Sequence, residues 1–210
     1  MTRFAAPVLA TALLALSGAA PALANGFDAD IFGPVATPLR VEVVLSDSLA
    51  QRANDLPDDG VARSGSRGLR AGFATGGYLG EEDLRELLDE VREELGDDLT
   101  RYGVAQSDAA PTVLRVTLEN ARNNRPTFRQ LAEQPSLDFE SYGTGGAELS
   151  AVVLGANGET LATFRYDWYD TLRGDGFDRA TGIWTDANRA ISRFSKRTAK
   201  ALRRQTQPVG

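Results

Sequence analysis

Between Glu81 and Tyr102, the residues Leu84, Leu87, Leu88, Val91, Leu95, Leu99 and Tyr102 recur at steps of three and four positions. That period is helical, and it predicts one amphipathic helix over Glu81–Tyr102 with a single apolar stripe. Such a stripe needs a facing apolar layer. Glu81-Glu82-Asp83 suits the positive end of the helix dipole, and Gly103 is placed to stop the helix. The facing layer comes from segments of period two. Leu39–Leu45 alternates, with Leu39, Val41, Val43 and Leu45 on one face. Thr112–Leu118 turns Leu114, Val116 and Leu118 inward, Glu148–Leu154 turns Leu149, Ala151 and Val153, and Leu161–Trp168 turns Ala162, Phe164, Tyr166 and Trp168. Asn157-Gly158 marks a tight hairpin between the last two. A second helix, Thr185–Arg204, sets Trp184, Ala187, Ile191, Phe194 and Leu202 on its apolar side.

The order β-α-β-β-β-α predicts an α+β fold: a two-layer sandwich with a mostly antiparallel four-stranded sheet covered by two amphipathic helices. Residues 37–204 form its single domain, 25–36 an extended N-terminal segment and 205–210 a disordered tail. Two long stretches carry no period. Residues 46–80 are dense in Gly, Asp, Arg and Ser, with room for a short element around Ser48–Asn54; residues 120–146 contain Pro126, Pro135, Gly143, Gly145 and Gly146. Irregular stretches of this length are uncommon in a compact domain, and loops carry function more often than the elements they join.

Residues 1–24 have the form of a secretory signal. Arg3 supplies a positive start, Phe4–Leu16 an apolar run broken by Pro7 and Thr11, and Ala22-Leu23-Ala24 a small–x–small cleavage site. A retained anchor would need about 20 strongly apolar residues, whereas this stretch is Ala-rich and interrupted by Ser17, Gly18 and Pro21. The expectation is cleavage after Ala24 and a periplasmic product without stable membrane insertion. Removing 24 of 210 residues leaves 186, enough to bury a core without disulfides. The formal charge moves from −6 to −7, since Arg3 is the only charge lost. This acidic balance argues against general nucleic-acid binding.

The chain has neither His nor Cys. Ser-His-Asp and Cys-His catalysis are excluded as such, and so are the usual zinc sites. Carboxylate chemistry, oxygen-ligated hard cations and non-catalytic roles remain.

The two helices are oppositely charged. Ten acidic residues lie between Glu81 and Asp98 against Arg85 and Arg92, while Thr185–Arg204 holds seven basic residues against Asp186. Solvated outer faces, with neighbouring flanks attracting each other, account for this pattern. A basic helix can also lie on anionic lipid; Arg189, Arg193, Lys196, Arg197 and Lys200 would then make the contact. The glycines Gly72, Gly76, Gly77 and Gly80 precede a helix, but three carboxylates stand where a phosphate loop needs Lys and Ser/Thr, so they read as turn glycines. Asp167, Asp170, Asp175 and Asp178 resemble part of a calcium turn without its closing Glu. They read as a solvated loop, and no metal or other cofactor is expected. Tyr169, Phe177 and Trp184 flank that loop, as core packing or as an exposed contact surface.

With this plan in place, Asn124-Arg125-Pro126-Thr127, Gly145–Ala147 and Gly158–Leu161, in that order, resemble motifs of small exported bacterial proteins of unknown function. More distantly, the architecture is similar to curli-secretion lipoproteins and to the amino-terminal domain of Tol translocation proteins. The chain lacks the lipobox cysteine of many such proteins. The resemblance implies a non-catalytic envelope role through protein contacts, and supplies no catalytic residue. The functional expectation is therefore a periplasmic accessory or binding protein, not an enzyme, whose partner is another envelope protein. Candidate contacts are Arg67 and Arg70 in the first irregular stretch and Arg122, Arg125 and Phe128 in the second. Two other classes stay open: the peripheral lipid-binding protein above, and a carboxylate-dependent hydrolase of cell-wall glycan.

Overall fold

The computed structural model describes residues 26–53, 79–170 and 182–206. Residues 1–24, Arg67, Arg70, Gly72, Gly76, Gly77, Asp175, Phe177 and Asp178 lie outside the described residues.

The elements run β1 (Phe27–Ile31), β2 (Leu39–Leu45), α1 (Asp47–Arg52), α2 (Glu81–Arg101), β3 (Thr112–Arg122), α3 (Phe128–Glu133), β4 (Gly146–Leu154), β5 (Thr160–Tyr169) and α4 (Thr185–Thr206). They build an α+β sandwich with one sheet, ordered β1-β5-β4-β3-β2. All neighbours are antiparallel except β2 and β3, which are parallel and joined through α2. The sheet has five strands, not four. The additional one is Phe27–Ile31, inside the segment expected to be merely extended. Its Phe27 ring lies 6.1 Å from Phe164 and 6.5 Å from Phe194, so β1 is held by aromatic packing as well as by its ladder.

Both long helices cover the same sheet face. The stripe of α2 is fully spent: Leu84, Leu87, Val91, Leu95 and Leu99 are buried. They meet Val43, Leu114, Val116, Leu118, Leu149 and Val153 in one core that also takes in Phe164, Ile191, Phe194 and Leu202. Gly103 ends the helix at φ +72°, and Val104 N–H closes it on the Leu99 carbonyl at 2.9 Å. The hairpin turn forms where Asn157-Gly158 predicts it, with Gly158 at φ +83°. Helix α4 runs on through Thr206, so Gln205 and Thr206 belong to the helix and not to a tail.

Irregularity accounts for the remaining differences. Strand β3 continues past Leu118 because a bulge at Glu119 restores the inward phase at Ala121, opposite Ala147. Helix α1 occupies the expected short element, with Ser46 Oγ accepting from Leu49 N–H at its start. Helix α3 falls in a stretch read as irregular.

Among the described residues no helix covers the second sheet face, which carries charged and polar pairs. Glu42 takes Arg115 at 3.0 Å across the parallel pair and also pairs with Arg40. Ser150 Oγ donates to Glu119 at 2.5 Å.

Candidate functional site

The second irregular stretch is built around a buried polar clamp. At the end of β3, Asn124 turns its side chain inward: its Oδ1 accepts from Asp186 N–H at 2.9 Å, and its Nδ2 donates to Asp186 Oδ2 at 2.5 Å. Its amide thus satisfies an otherwise unpaired donor in the first turn of α4. Arg189 completes the pairing of Asp186 at 2.9 Å. The clamp needs Gly145, where a Cβ would collide with the Asn124 amide. Two motifs separated in sequence, Asn124–Thr127 and Gly145–Ala147, are therefore one packing unit.

The flanking residues extend the buried polar network into α3. Asn123 Nδ2 donates to the Arg125 carbonyl and to Gln130 Oε1, both at 2.7 Å. Thr127 and Gln130 form a capping box that starts α3. Because Thr127 is the cap, Phe128 opens α3 and its ring is left 73% exposed. Across from it, Asp138 and Ser141 close a turn: Ser141 Oγ accepts from Asp138 N–H and donates to Asp138 Oδ1, both at 3.1 Å. That turn projects Phe139, 74% exposed. The two rings meet edge to face at 6.4 Å.

Beside this ring pair lies a groove of about 670 Å³ lined by Arg125, Pro126, Phe128, Phe139, Glu140, Tyr142, Gly182 and Ile183. The Arg125 guanidinium stands 5.6 Å from the Tyr142 ring and donates to the Glu140 carbonyl at 3.1 Å. Glu140 is the only carboxylate among the described lining residues. The surface suits recognition: apolar rings for contact area, one oriented cation for direction.

Two of the sequence candidates, Arg125 and Phe128, are thus brought together here. Arg122 is not with them. It lies on the open sheet face, its guanidinium 4.3 Å from the Tyr169 ring, across Gly146. Gly146 sits at φ +151°, and a Cβ there would strike the backbone of Trp168 and Tyr169. Arg122 closes this glycine gap from the second side. Phe139, Tyr142 and Ile183 escape a sequence reading because no period marks them. The one available signal was Thr127-x-x-Gln130, a capping box that places Phe128 at a helix start.

The basic residues of α4 divide. Arg189 is engaged with Asp186. Arg193 stacks 4.5 Å from the Trp168 ring, and Arg197 5.2 Å from Tyr166. Lys196 and Lys200 are exposed. Among the described residues, the ion pairs on α2 and α4 run within each helix: Asp89–Arg92, Asp98–Arg101 and Asp186–Arg189. None of these pairs joins the two charged flanks. Trp184 is buried, so of the residues flanking the Asp-rich loop it belongs to the core.

Among the described residues no group of three or more acidic side chains is placed to hold a metal, and no helix is long and apolar enough to cross a membrane. Acidic neighbours add to burial in three carboxyls, Asp83, Glu90 and Glu148. Asp83 is pushed up to about 6 by burial and then by Glu86 and Glu82. The Trp184 indole N–H faces Asp83 and opposes that shift, without closing a hydrogen bond of ordinary geometry. Glu90 is raised by burial, then by Glu94, Glu93 and Glu86.

No protein-family model and no curated protein matches the chain. Among solved structures it is similar to the PelC dodecamer from Paraburkholderia phytofirmans, at 10% identity over 81% of this chain and 96% of that one, with a TM-score of 0.38. It is also similar to a minor lipoprotein from Acinetobacter baumannii, at 11% identity over 55% of this chain and 84% of that one, with a TM-score of 0.30. Similarities this distant leave the groove's own geometry to carry the functional reading.

Proposed function

We propose that this chain is a non-catalytic binding protein of the bacterial cell envelope, and that it docks a segment of a partner protein in the groove between α3 and the Asp138–Ser141 turn. One observation carries this: Phe128 and Phe139 stand about three-quarters in water, in edge-to-face contact with each other, along one groove. Burying a Phe side chain contributes roughly 1.5–3 kcal/mol, and here that contribution is left unused by the fold. Each ring is fixed by its own hydrogen-bonded turn, so little side-chain order remains to be lost on binding. Aromatic rings beside an arginine are also the composition of interface hot spots. Arg125 would meet a carboxylate or a carbonyl of the bound segment. The envelope location rests on residues 1–24, whose charged start, apolar run and Ala22-Leu23-Ala24 have the form of an export signal.

The test is site-specific photocrosslinking in intact cells from position 128, from 139, and from Val44 on the open sheet face. A single envelope protein captured from 128 and 139, absent from 44 and lost on Arg125→Ala, is the expected pattern. Equal capture from all three positions, or none from a folded and exported chain, overturns the reading. Cell fractionation with and without residues 1–24 tests the location separately.

A further inference from the structure

The outer layer of the molecule is two parallel stripes of opposite charge. Helices α2 and α4 lie side by side on the same sheet face, and both start at the sheet end where Asn124 meets Asp186. Among the described residues, the exposed acids Glu82, Glu86, Glu93 and Asp97 on α2 make no ion pair, and neither do the exposed bases Lys196, Lys200, Arg203 and Arg204 on α4. Glu90 on the same helix as those acids, α2, is raised by burial first and then by the neighbouring carboxylates Glu94, Glu93 and Glu86.

A flat anionic membrane is a poor match for this layer, because it would meet the carboxylates of α2 together with the bases of α4. A surface carrying the same two stripes in reverse order matches both. A second copy, turned by a two-fold axis between the helices, presents that surface. The axis sets α2 of each copy over α4 of the other, with mid-helix Glu93 facing mid-helix Lys196. Two helices about 30 Å long and about 10 Å apart give a strip of roughly 600 Å² per copy, near the roughly 800 Å² per partner of a standard interface. We infer that this chain self-associates as a two-fold dimer through the acidic face of α2 and the basic face of α4. The contact is polar and so salt-sensitive. It is independent of the Phe128–Phe139 groove.

The chain has no cysteine of its own, which makes disulfide trapping a clean test. Purified exported chain is examined by sedimentation at low and at high salt, alone and with vesicles containing anionic lipid. Dimer is expected at low salt, with a dissociation constant rising at least about tenfold as salt shortens the Debye length from about 20 to about 5 Å. Glu93→Cys mixed with Lys196→Cys should give the mixed disulfide in clear excess over either homodimer, only at low salt. The double reversal Lys196→Glu/Lys200→Glu should sediment as monomer, and adding Glu86→Lys/Glu93→Lys in the same chain should restore the dimer. A wild-type chain that stays monomeric at low salt overturns the proposal. So does a dimer whose disulfides ignore the cross-pairing. Binding to anionic vesicles by a chain that never dimerises assigns α4 to lipid instead.

Discussion

Asn124 and Asp186, 62 positions apart, hold each other by two hydrogen bonds, one from a backbone N–H and one from a side-chain amide. Both residues are buried. The contact fixes the end of β3 to the beginning of α4, and everything that shapes the groove leaves from that point. Asn124→Ala removes a helix cap, contributing about 0.5–2 kcal/mol, and strips a buried carboxylate of a donor, contributing about 1–3 kcal/mol. We expect a loss of about 2–4 kcal/mol in chemical denaturation, and a change below about 1 kcal/mol would refute the clamp.

Gly145 faces the same amide. Gly145→Ala forces a methyl group into the Asn124 side chain and should destabilise the fold by about 1–3 kcal/mol. In the Asn124→Ala background the obstructing atoms are gone, so the same change should be close to neutral. A double-mutant cycle reads this directly. Additive effects would mean that the two residues do not share a contact.

Asp83 predicts a pH dependence. Its carboxyl lies at about 6 in the folded chain against an ordinary value of 3.8, from burial first and neighbouring carboxylates second. The folded state therefore holds the proton more tightly than the unfolded state. Its contribution is fully present below about pH 4 and is lost as pH rises through about 6. Asp83→Asn should flatten this part of the stability profile and stabilise at neutral pH by up to about 1 kcal/mol, reduced by solvent screening at a half-exposed site. Parallel profiles for the two proteins between about pH 4 and 7 would count against it.

The groove rings should be dispensable for folding. Phe128→Ala and Phe139→Ala together should change stability by no more than about 1.5 kcal/mol, since the rings are exposed and their edge-to-face contact contributes about 0.5–1.5 kcal/mol at most. Phe194→Ala, in contrast, empties a fully buried position and should cost about 3–5 kcal/mol. Thermal melts of the two variants separate a surface kept for contact from a surface kept for packing.

The long elements were legible because their periods survive in the fold. The α2 stripe, the inward residues of β4 and β5 and the Asn157-Gly158 turn all sit where the pattern puts them. What was not legible depends on partners far away in sequence. Phe27–Ile31 alternates, but two of its five residues are Asp, and only the distant Phe164 and Phe194 make it a strand. The bulge at Glu119 breaks the alternation that would have revealed the rest of β3. Asn123, Asn124, Gln130 and Asp186 are buried because they satisfy one another, and no single polar residue announces such a network. Of the site, Arg125 and Phe128 were visible as residues in a long loop. Their joining with Phe139 and Tyr142 was not, since a turn of Asp138 and Ser141 supplies it.

The pairing of β1 with β5 matches Phe27 with Tyr166. Strand β4, the other neighbour of β5, also lies in the second half of the chain. A chain emerging amino-terminus first from the ribosome presents β1 early and β5, its ladder partner among the described residues, near the end. The sheet cannot close on its outer strand until most of the sequence is out, and such late, long-range pairing is slow to find. Completion of the fold is thereby tied to the end of synthesis, and the nascent chain stays without its outer strand until β5 has emerged.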